Sequence, residues 1–265
     1  PLQSEVVNYV TQRSESLMAL FLFLTLYGAI RAAESPAWRA LSVIACACGM
    51  ASKESMVVAP IVVVLYDRAF LFDSVSDAIR KRTHLYAGLA ATWVVLAALA
   101  WNTPRSTVGV TAAVGSWTYL LNQAQMIGRY LRLSVWPDAL VLDYGLPGPV
   151  AVRDVLPSAL LVIALLAATG VALVRWPRIG FLAAVFFLTL APTSSVIPIV
   201  SEVGAERRMY VPLAALATLA VAGARFVLNL TAPTSFIAVV SLTGFVLAGL
   251  AARTEARNAE YSTPL

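Results

Sequence analysis

The chain has 265 residues, 60% of them hydrophobic and 12% charged, with a mean hydropathy of +0.80. That balance excludes an ordinary soluble domain and reads as a polytopic membrane protein. The net charge is +5 and the isoelectric point about 9.5, but the basic residues are scattered between apolar runs and form no stripe or aromatic-interleaved platform, which excludes a nucleic-acid surface.

A helix needs about 20 residues to cross a hydrocarbon core of about 30 Å. Windows that reach or approach that length fall at residues 17–30, 41–66, 85–101, 155–174, 179–191, 210–230 and 236–252. The second is interrupted by Ser52-Lys53-Glu54-Ser55, and Pro60 follows shortly. A mid-depth charge pair and a missing backbone donor favour two short spans over one long helix. Residues 117–136 alternate apolar side chains with Asn122, Gln123, Gln125, Arg129 and Arg132, the pattern of an interfacial or re-entrant helix. The expected fold is all-α: a polytopic membrane helix bundle of about seven to nine spanning or half-spanning helices plus an interfacial helix.

If residues 117–136 do not cross, Arg31, Arg39, Arg68, Arg80, Lys81, Arg82, Arg175 and Arg178 share one side in short loops, as cytoplasmic loops do. The longer loops, residues 102–154 and 192–208, then face outward together with Arg13, Glu15, Lys53, Glu54, Glu202, Glu206, Arg207 and Arg208. The polar tail 253–265 is expected on that outer side as well. Trp101, Trp117, Trp136 and Trp176 fall near helix ends, where indoles suit the interface. Of the 19 basic residues, 17 are Arg and 2 Lys, a bias that points to a GC-rich prokaryotic genome. The sequence opens at Pro1 without methionine or a signal segment, so a piece of a longer chain is expected.

Cys46 and Cys48 point about 200° apart on a helix, which makes them packing residues and not a bridge or metal pair. His84, beside Arg80, Lys81 and Arg82, reads as interfacial, and no zinc site or Ser-His-Asp triad can be built from it. No metal ligands are expected.

Charged residues at a bilayer boundary must be solvated, paired or used, and four constellations stand out. In the first, Glu5, Gln12 and Glu15 lie on or near one helical face and Arg13 can reach the headgroup plane. In the second, Lys53 can meet a lipid phosphate as a point charge, or snorkel and pair with Glu54. The third runs from Pro192 to Pro198 and on to Glu202, Glu206, Arg207, Arg208 and Tyr210. A helical turn would bring Glu202 and Glu206 to one face, while Arg207 and Arg208 clamp a phosphate and Glu206 fixes one of them or binds a sugar hydroxyl. The fourth, Trp136-Pro137-Asp138 through Asp143-Tyr144-Gly145, is a turn-rich loop that reads as structural.

Glu5 through Arg13-Ser14-Glu15, Ala51-Ser52-Lys53-Glu54, Trp136-Pro137 through Leu142-Asp143-Tyr144, and Pro192 to Pro198 followed by Ala205-Glu206-Arg207, Tyr210 and Pro212 together resemble the transmembrane and tetratricopeptide-repeat O-mannosyltransferases. Those enzymes belong to the C-type superfamily of multi-spanning glycosyltransferases. The resemblance implies a hexosyltransferase that moves a sugar, mannose in this family, from a polyprenyl-phosphate carrier to a hydroxyl acceptor such as protein Ser or Thr, with inversion. It implies a transmembrane domain over residues 1–252 and a polar extracytoplasmic segment from residue 253. An acidic motif upstream of Pro1 would supply the base and repeats would follow the last span, so the chain alone is expected to be inactive. The family often has Asn where this chain has Ser195.

On that basis Arg13, Lys53, Arg207 and Arg208 are the candidate lipid-phosphate ligands, and Glu5, Glu15, Glu54, Glu202, Glu206 and Tyr210 orient sugar or acceptor. The partners implied are membrane lipid, the polyprenyl-phosphate sugar as donor and a protein or glycan acceptor; no other cofactor is implied. The expected location is a prokaryotic inner membrane with the active face outside. The alternatives are an enzyme of the same fold acting on lipid or glycan, and a transporter or non-catalytic assembly subunit.

Overall fold

Small residues decide where the helices of this chain can approach one another. The computed structural model describes residues 1–102, 115–138, 140–141, 143–195, 198–199, 201–230 and 235–262. They form α1 (Ser4–Asn8), α2 (Arg13–Arg31), α3 (Pro36–Ser52), α4 (Ala59–Phe70), α5 (Val75–Lys81), α6 (Thr83–Asn102), α7 (Ser116–Val135), α8 (Val152–Arg175), α9 (Pro177–Leu190), α10 (Tyr210–Leu230) and α11 (Ser235–Ser262). Short 3-10 turns at Val10–Gln12, Glu54–Val58 and Glu206–Met209 lead into α2, α4 and α10.

Gly28 on α2 lies so close to α3 that an added Cβ would stand 3.0 Å from the Ser42 nitrogen, and Ser42 Oγ donates to the Thr25 carbonyl at 2.8 Å. Cys46 Sγ lies 3.2 Å from Thr92 Oγ1 on α6, while Cys48 is exposed, so the two thiols do face apart. Gly180 lets α9 close on α8, where its missing Cβ would be 2.4 Å from the Leu173 nitrogen. Tyr66, Phe70 and Phe181 join α4 to α9 through edge and stacked ring contacts at 4.7 to 5.7 Å. Met18, Leu22, Met50, Met56 and Leu89 fill the core between α2, α3 and α6.

Helices α2 and α3, and likewise α8 and α9, fold back on each other, as the contacts of Gly28 with Ser42, Glu15 with Lys53 and Gly180 with Leu173 require, so the bundle has two chemically distinct ends. The starts of α2, α4, α8 and α10 gather with the ends of α3, α9 and α11 at what we call the site end, tied by Lys53 to Glu15, Gln125 to Asp154 and Asn8 to Asn258. The opposite end carries Arg31, Arg39, Arg68, Arg80, Lys81, Arg82, Arg175 and Arg178 on or beside its helix termini. There the buried Asp67 carboxylate accepts from Arg82 Nη1 at 2.6 and 2.7 Å and from the Tyr86 hydroxyl at 2.5 Å, while Arg82 Nη2 donates to the Ala29 carbonyl.

Among the described residues, three stretches are long and apolar enough to cross a membrane: Val10–Arg31, Thr83–Trp101 and Val152–Arg175. A fourth results if Glu54–Phe70 and Val75–Lys81, bent by 110°, count as one. The chain is an integral membrane protein on these apolar helices. By length and composition the described residues thus give three or four such helices against the seven to nine expected; α3, α4 and α9, at 17, 12 and 14 residues, are shorter than a straight crossing requires. The windows at 41–66 and 210–230 appear as α3 with α4 and as α10, and the break falls at Lys53. The last helix does not stop at residue 252 but runs to Ser262. Residues 103–114 of the expected outer loop, Leu142, Val196, Ile197 and 263–265 lie outside the described residues, as do the side chains over much of 236–252.

Helix α7 departs from a polar-out pattern. Asn122 and Gln123 are buried with Tyr119, Met126 and Tyr130, and Arg129 and Arg132 are exposed. Their amides serve backbone acceptors, Asn122 Nδ2 reaching the Gly148 carbonyl and Gln123 Nε2 the Val203 carbonyl, both at 2.8 Å. Buried amides need such partners, which explains polar residues on an inward face.

Candidate functional site

The Lys53 backbone is extended, with φ −162° and ψ 140°, between the end of α3 and the following 3-10 turn. Extended backbone sends successive side chains to opposite sides. Lys53 therefore turns inward and forms an ion pair with Glu15 on α2, while Glu54 is exposed. Of the two alternatives for Lys53, pairing with Glu54 does not occur: its ion pair is made to Glu15 on another helix, because neighbours on extended chain cannot converge.

A second group joins the chain's first helix to the turn before α10. Arg207 Nη1 donates to Glu5 Oε1 at 2.8 Å and its backbone nitrogen to Glu5 Oε2 at 3.0 Å. Its Nη2 donates to Glu202 Oε2. Arg208 Nη2 donates to Glu202 Oε1 at 2.9 Å, and its Nη1 to the carbonyls of Thr193 and Val203 at 3.0 and 3.4 Å. Glu202 thus bridges two guanidinium groups from the loop ahead of the turn.

The expectation that Glu202 and Glu206 share one helical face is overturned. The 3-10 turn starts only at Glu206, after the extended Ala205 at φ −155°, so no helical turn spans the two. Glu206 fixes neither arginine. Its Oε1 accepts from the Val141 nitrogen at 2.7 Å and the Tyr144 hydroxyl at 3.1 Å, and its Oε2 is buried with no hydrogen-bond partner among the described residues. Burial raises the Glu206 pKa above its ordinary value against the lowering effect of those two hydrogen bonds. Burial first, and the Glu206 carboxylate next, raise that of Tyr144.

The loop after α7 is held from several sides. Asp143 Oδ1 accepts from the Gly145 nitrogen at 2.7 Å, and Gly145 takes a φ of +79° that suits a residue without Cβ. Asp138 pairs with Arg132 at 2.8 Å, the Arg129 guanidinium lies 4.5 Å from the centre of the Tyr144 ring, and Arg257 of α11 donates to the Leu140 carbonyl at 3.1 Å. These two aspartates secure the loop itself.

Tyr130 was not singled out by sequence, and yet its hydroxyl both accepts from the Ala205 nitrogen at 2.8 Å and donates to the Ala205 carbonyl at 3.0 Å. Tyr119 likewise donates to the Thr193 carbonyl at 2.9 Å. Helix α7 is therefore the spine along which the loop bearing Glu202 is laid. Gln3 Nε2 reaches the Tyr210 carbonyl at 3.3 Å, and the Tyr210 side chain is half-buried. The signal in sequence was the presence of amides and tyrosines within an otherwise apolar helix.

Two concave features meet at Val211. A narrow cleft, with a volume of about 10 Å³, is lined by Glu15, Ser55, Thr189, Thr193, Arg208 and Val211. An apolar groove of about 160 Å³ runs between α2, α4, α9 and α10 along Leu22, Leu26, Val62, Phe181, Val185 and Val211. Arg13 is exposed at the start of α2 and has no ion pair among the described residues. No cluster of three or more His, Cys, Asp or Glu side chains that could hold a metal occurs among them.

The structure therefore brings Glu5, Glu15, Lys53, Glu202, Glu206, Arg207 and Arg208 to one end of the bundle and sets Arg13 and Glu54 at its surface. A family model described as dolichyl-phosphate-mannose-protein mannosyltransferase matches residues 3–101, a stretch from α1 through nearly all of α6 that holds Glu5, Arg13, Glu15 and Lys53. The match supports the mannosyltransferase family. No curated protein and no solved structure matches the chain.

Proposed function

We propose that this chain is a membrane glycosyltransferase that moves a mannosyl group from a polyprenyl-phosphate carrier to a hydroxyl acceptor, with protein Ser or Thr as the acceptor class. The observation that carries this reading is the convergence of Lys53, Arg207 and Arg208 at the end of the bundle where the apolar groove begins. An isoprenoid phosphate has those two parts, an anion at headgroup depth and a hydrocarbon tail.

In such a transfer the acceptor oxygen bonds to the sugar C1 while the bond from C1 to the phosphate oxygen breaks. The electron pair goes to the departing phosphate and the acceptor proton to a base. Fixed cations stabilise the charge that grows on the leaving group, and inside a desolvated cleft they act more strongly than in water. Arg207 and Lys53 supply that charge from partly exposed positions and Arg208 from a buried one. Glu5, Glu15 and Glu202 are engaged with these cations, so they hold the cations in place and do not take the acceptor proton. Glu206 and Tyr210 frame the acceptor side, and exposed Arg13 meets the carrier or neighbouring headgroups. The arginine-rich opposite end supports, by the positive-inside rule, a cytoplasmic side for that end and an extracytoplasmic side for the site.

Binding of a polyprenyl-phosphate mannose tests the reading. Removing Arg207 alone would strand the buried Glu5, so the informative variant is the pair Glu5→Gln with Arg207→Gln. We expect it to retain its fold and lose at least about tenfold in affinity. Unchanged affinity would overturn the reading.

A further inference from the structure

The way Glu202 is held assigns it a second task, and this inference rests on the reading of the arginine pair as a phosphate grip. We propose that the Glu202 carboxylate is a built-in stand-in for the donor phosphate, which it must yield to when the carrier binds and which it displaces when the product leaves.

Its two oxygens each take one guanidinium, Oε1 from Arg208 and Oε2 from Arg207. Carboxylate and phosphate are gripped by arginine in the same forked manner, so the bridging position suits either anion. Within the cluster, Glu202 is the member able to leave. Its side chain is 23% exposed, against 2% for Arg208 and 2% for Glu5. It stands on the loop preceding the 3-10 turn and not on a helix.

Both arginines keep other partners when Glu202 withdraws. Arg207 remains held by two bonds to Glu5, and Arg208 by the carbonyls of Thr193 and Val203. The grip is thus preorganised without the carboxylate. Charge follows the same logic. Glu5 and Glu202 balance Arg207 and Arg208, so loss of Glu202 leaves one positive charge in surplus, which matches the single negative charge of a phosphodiester such as a prenyl-phosphate sugar.

The neighbouring cleft points the same way. Arg208 lines it, and its 10 Å³ holds about one water and no phosphate until a side chain moves. Ser55 faces the same cleft, with its Oγ buried and without a hydrogen-bond partner among the described residues. A hydroxyl in that position is a donor for an arriving phosphate oxygen.

The experiment measures binding of farnesyl-phosphate mannose, and separately of inorganic phosphate, to the whole chain in nanodiscs. Glu202→Gln, which keeps the shape and removes the charge, is expected to tighten the prenylated probe about tenfold. Glu202→Asp, too short to span both arginines, is expected to tighten it as well and serves if the amide variant does not fold. A carboxylate with a purely structural role would give unchanged or weaker binding in both variants, and that result overturns the proposal while the loss in the Glu5→Gln, Arg207→Gln pair still upholds the phosphate reading. Equal binding by the wild type and that pair overturns both. Tightening seen with inorganic phosphate but not with the prenylated probe overturns the lipid headgroup as the ligand.

Discussion

Glu5 and Arg207 meet at 2.8 Å although 202 residues separate them, and their contact fastens the first helix of the chain to the turn that opens α10. The Glu5 side chain is almost wholly buried, so its charge depends on this partner. Arg207→Gln is expected to cost about 3 to 5 kcal/mol, the usual penalty for stranding a buried charge, and Glu5→Gln alone strands the arginine in turn. The Glu5→Gln, Arg207→Gln pair should recover most of that loss. Thermal unfolding of the four proteins in one detergent, read as a double-mutant cycle, gives the coupling; additive single effects would remove the pair from the account.

Asp67 provides the corresponding fastening at the opposite end. It is fully buried and receives Arg82 twice and Tyr86 once. Asp67→Asn should lower stability by about 3 to 5 kcal/mol and Tyr86→Phe by about 1 to 2 kcal/mol, because the first strands a guanidinium and the second removes one hydrogen bond. Neither change touches the arginine pair, so binding of the prenyl-phosphate probe by the folded fraction should hold. Unfolding midpoints together with that affinity check both halves of the statement.

Glu206 should make stability depend on pH in a direction opposite to an ion-paired carboxylate. Its pKa is raised by burial above the ordinary 4.5, so the folded state keeps a proton that the unfolded state has lost. Stability is then greatest below the unfolded pKa and falls as pH rises from 4.5 toward the raised folded value. Glu206→Gln keeps an oxygen for Val141 and Tyr144 and removes the titration. The variant should match the wild type in acid and exceed it increasingly as pH rises; melting curves from about pH 4 to about pH 8 would show the opposite trend if Glu206 were held ionised.

Gly180 should tolerate no side chain. An alanine Cβ would lie 2.4 Å from the Leu173 nitrogen and 2.6 Å from the Ala172 carbonyl carbon, both backbone atoms that move only with α8. Gly180→Ala is expected to destabilise by about 1 to 3 kcal/mol. Gly170 has open space around its missing Cβ, so Gly170→Ala should be neutral or gain up to about 1 kcal/mol of helix propensity. Equal effects in chemical unfolding would refute the close approach of α8 and α9.

Much of the architecture was readable in advance because hydrophobic length and helix punctuation are local quantities. The run at 210–230 coincides with α10, and the chain breaks at Lys53, where charge interrupts an apolar run. The short helix Val75–Lys81 was not foreseen, since two turns carry too few residues for a periodic pattern, and the single helical face expected for Glu5, Gln12 and Glu15 is broken because Tyr9 is extended between α1 and the 3-10 turn before α2. The continuation of the last helix to Ser262 was also missed: polar residues end a lipid-facing run without ending a helix.

By itself, the sequence determined that the chain lives in a membrane, where charge interrupts its apolar runs and which charges require an explanation, because these follow from transfer free energy along a one-dimensional string. Only the tertiary structure decided who pairs with whom: Lys53 with Glu15 and not Glu54, Glu206 with Tyr144 and not an arginine, Glu202 across both Arg207 and Arg208. A buried charge takes whichever partner the packed helices deliver within hydrogen-bonding distance, and that delivery depends on helix crossings such as the one at Gly180 that no stretch of sequence specifies alone.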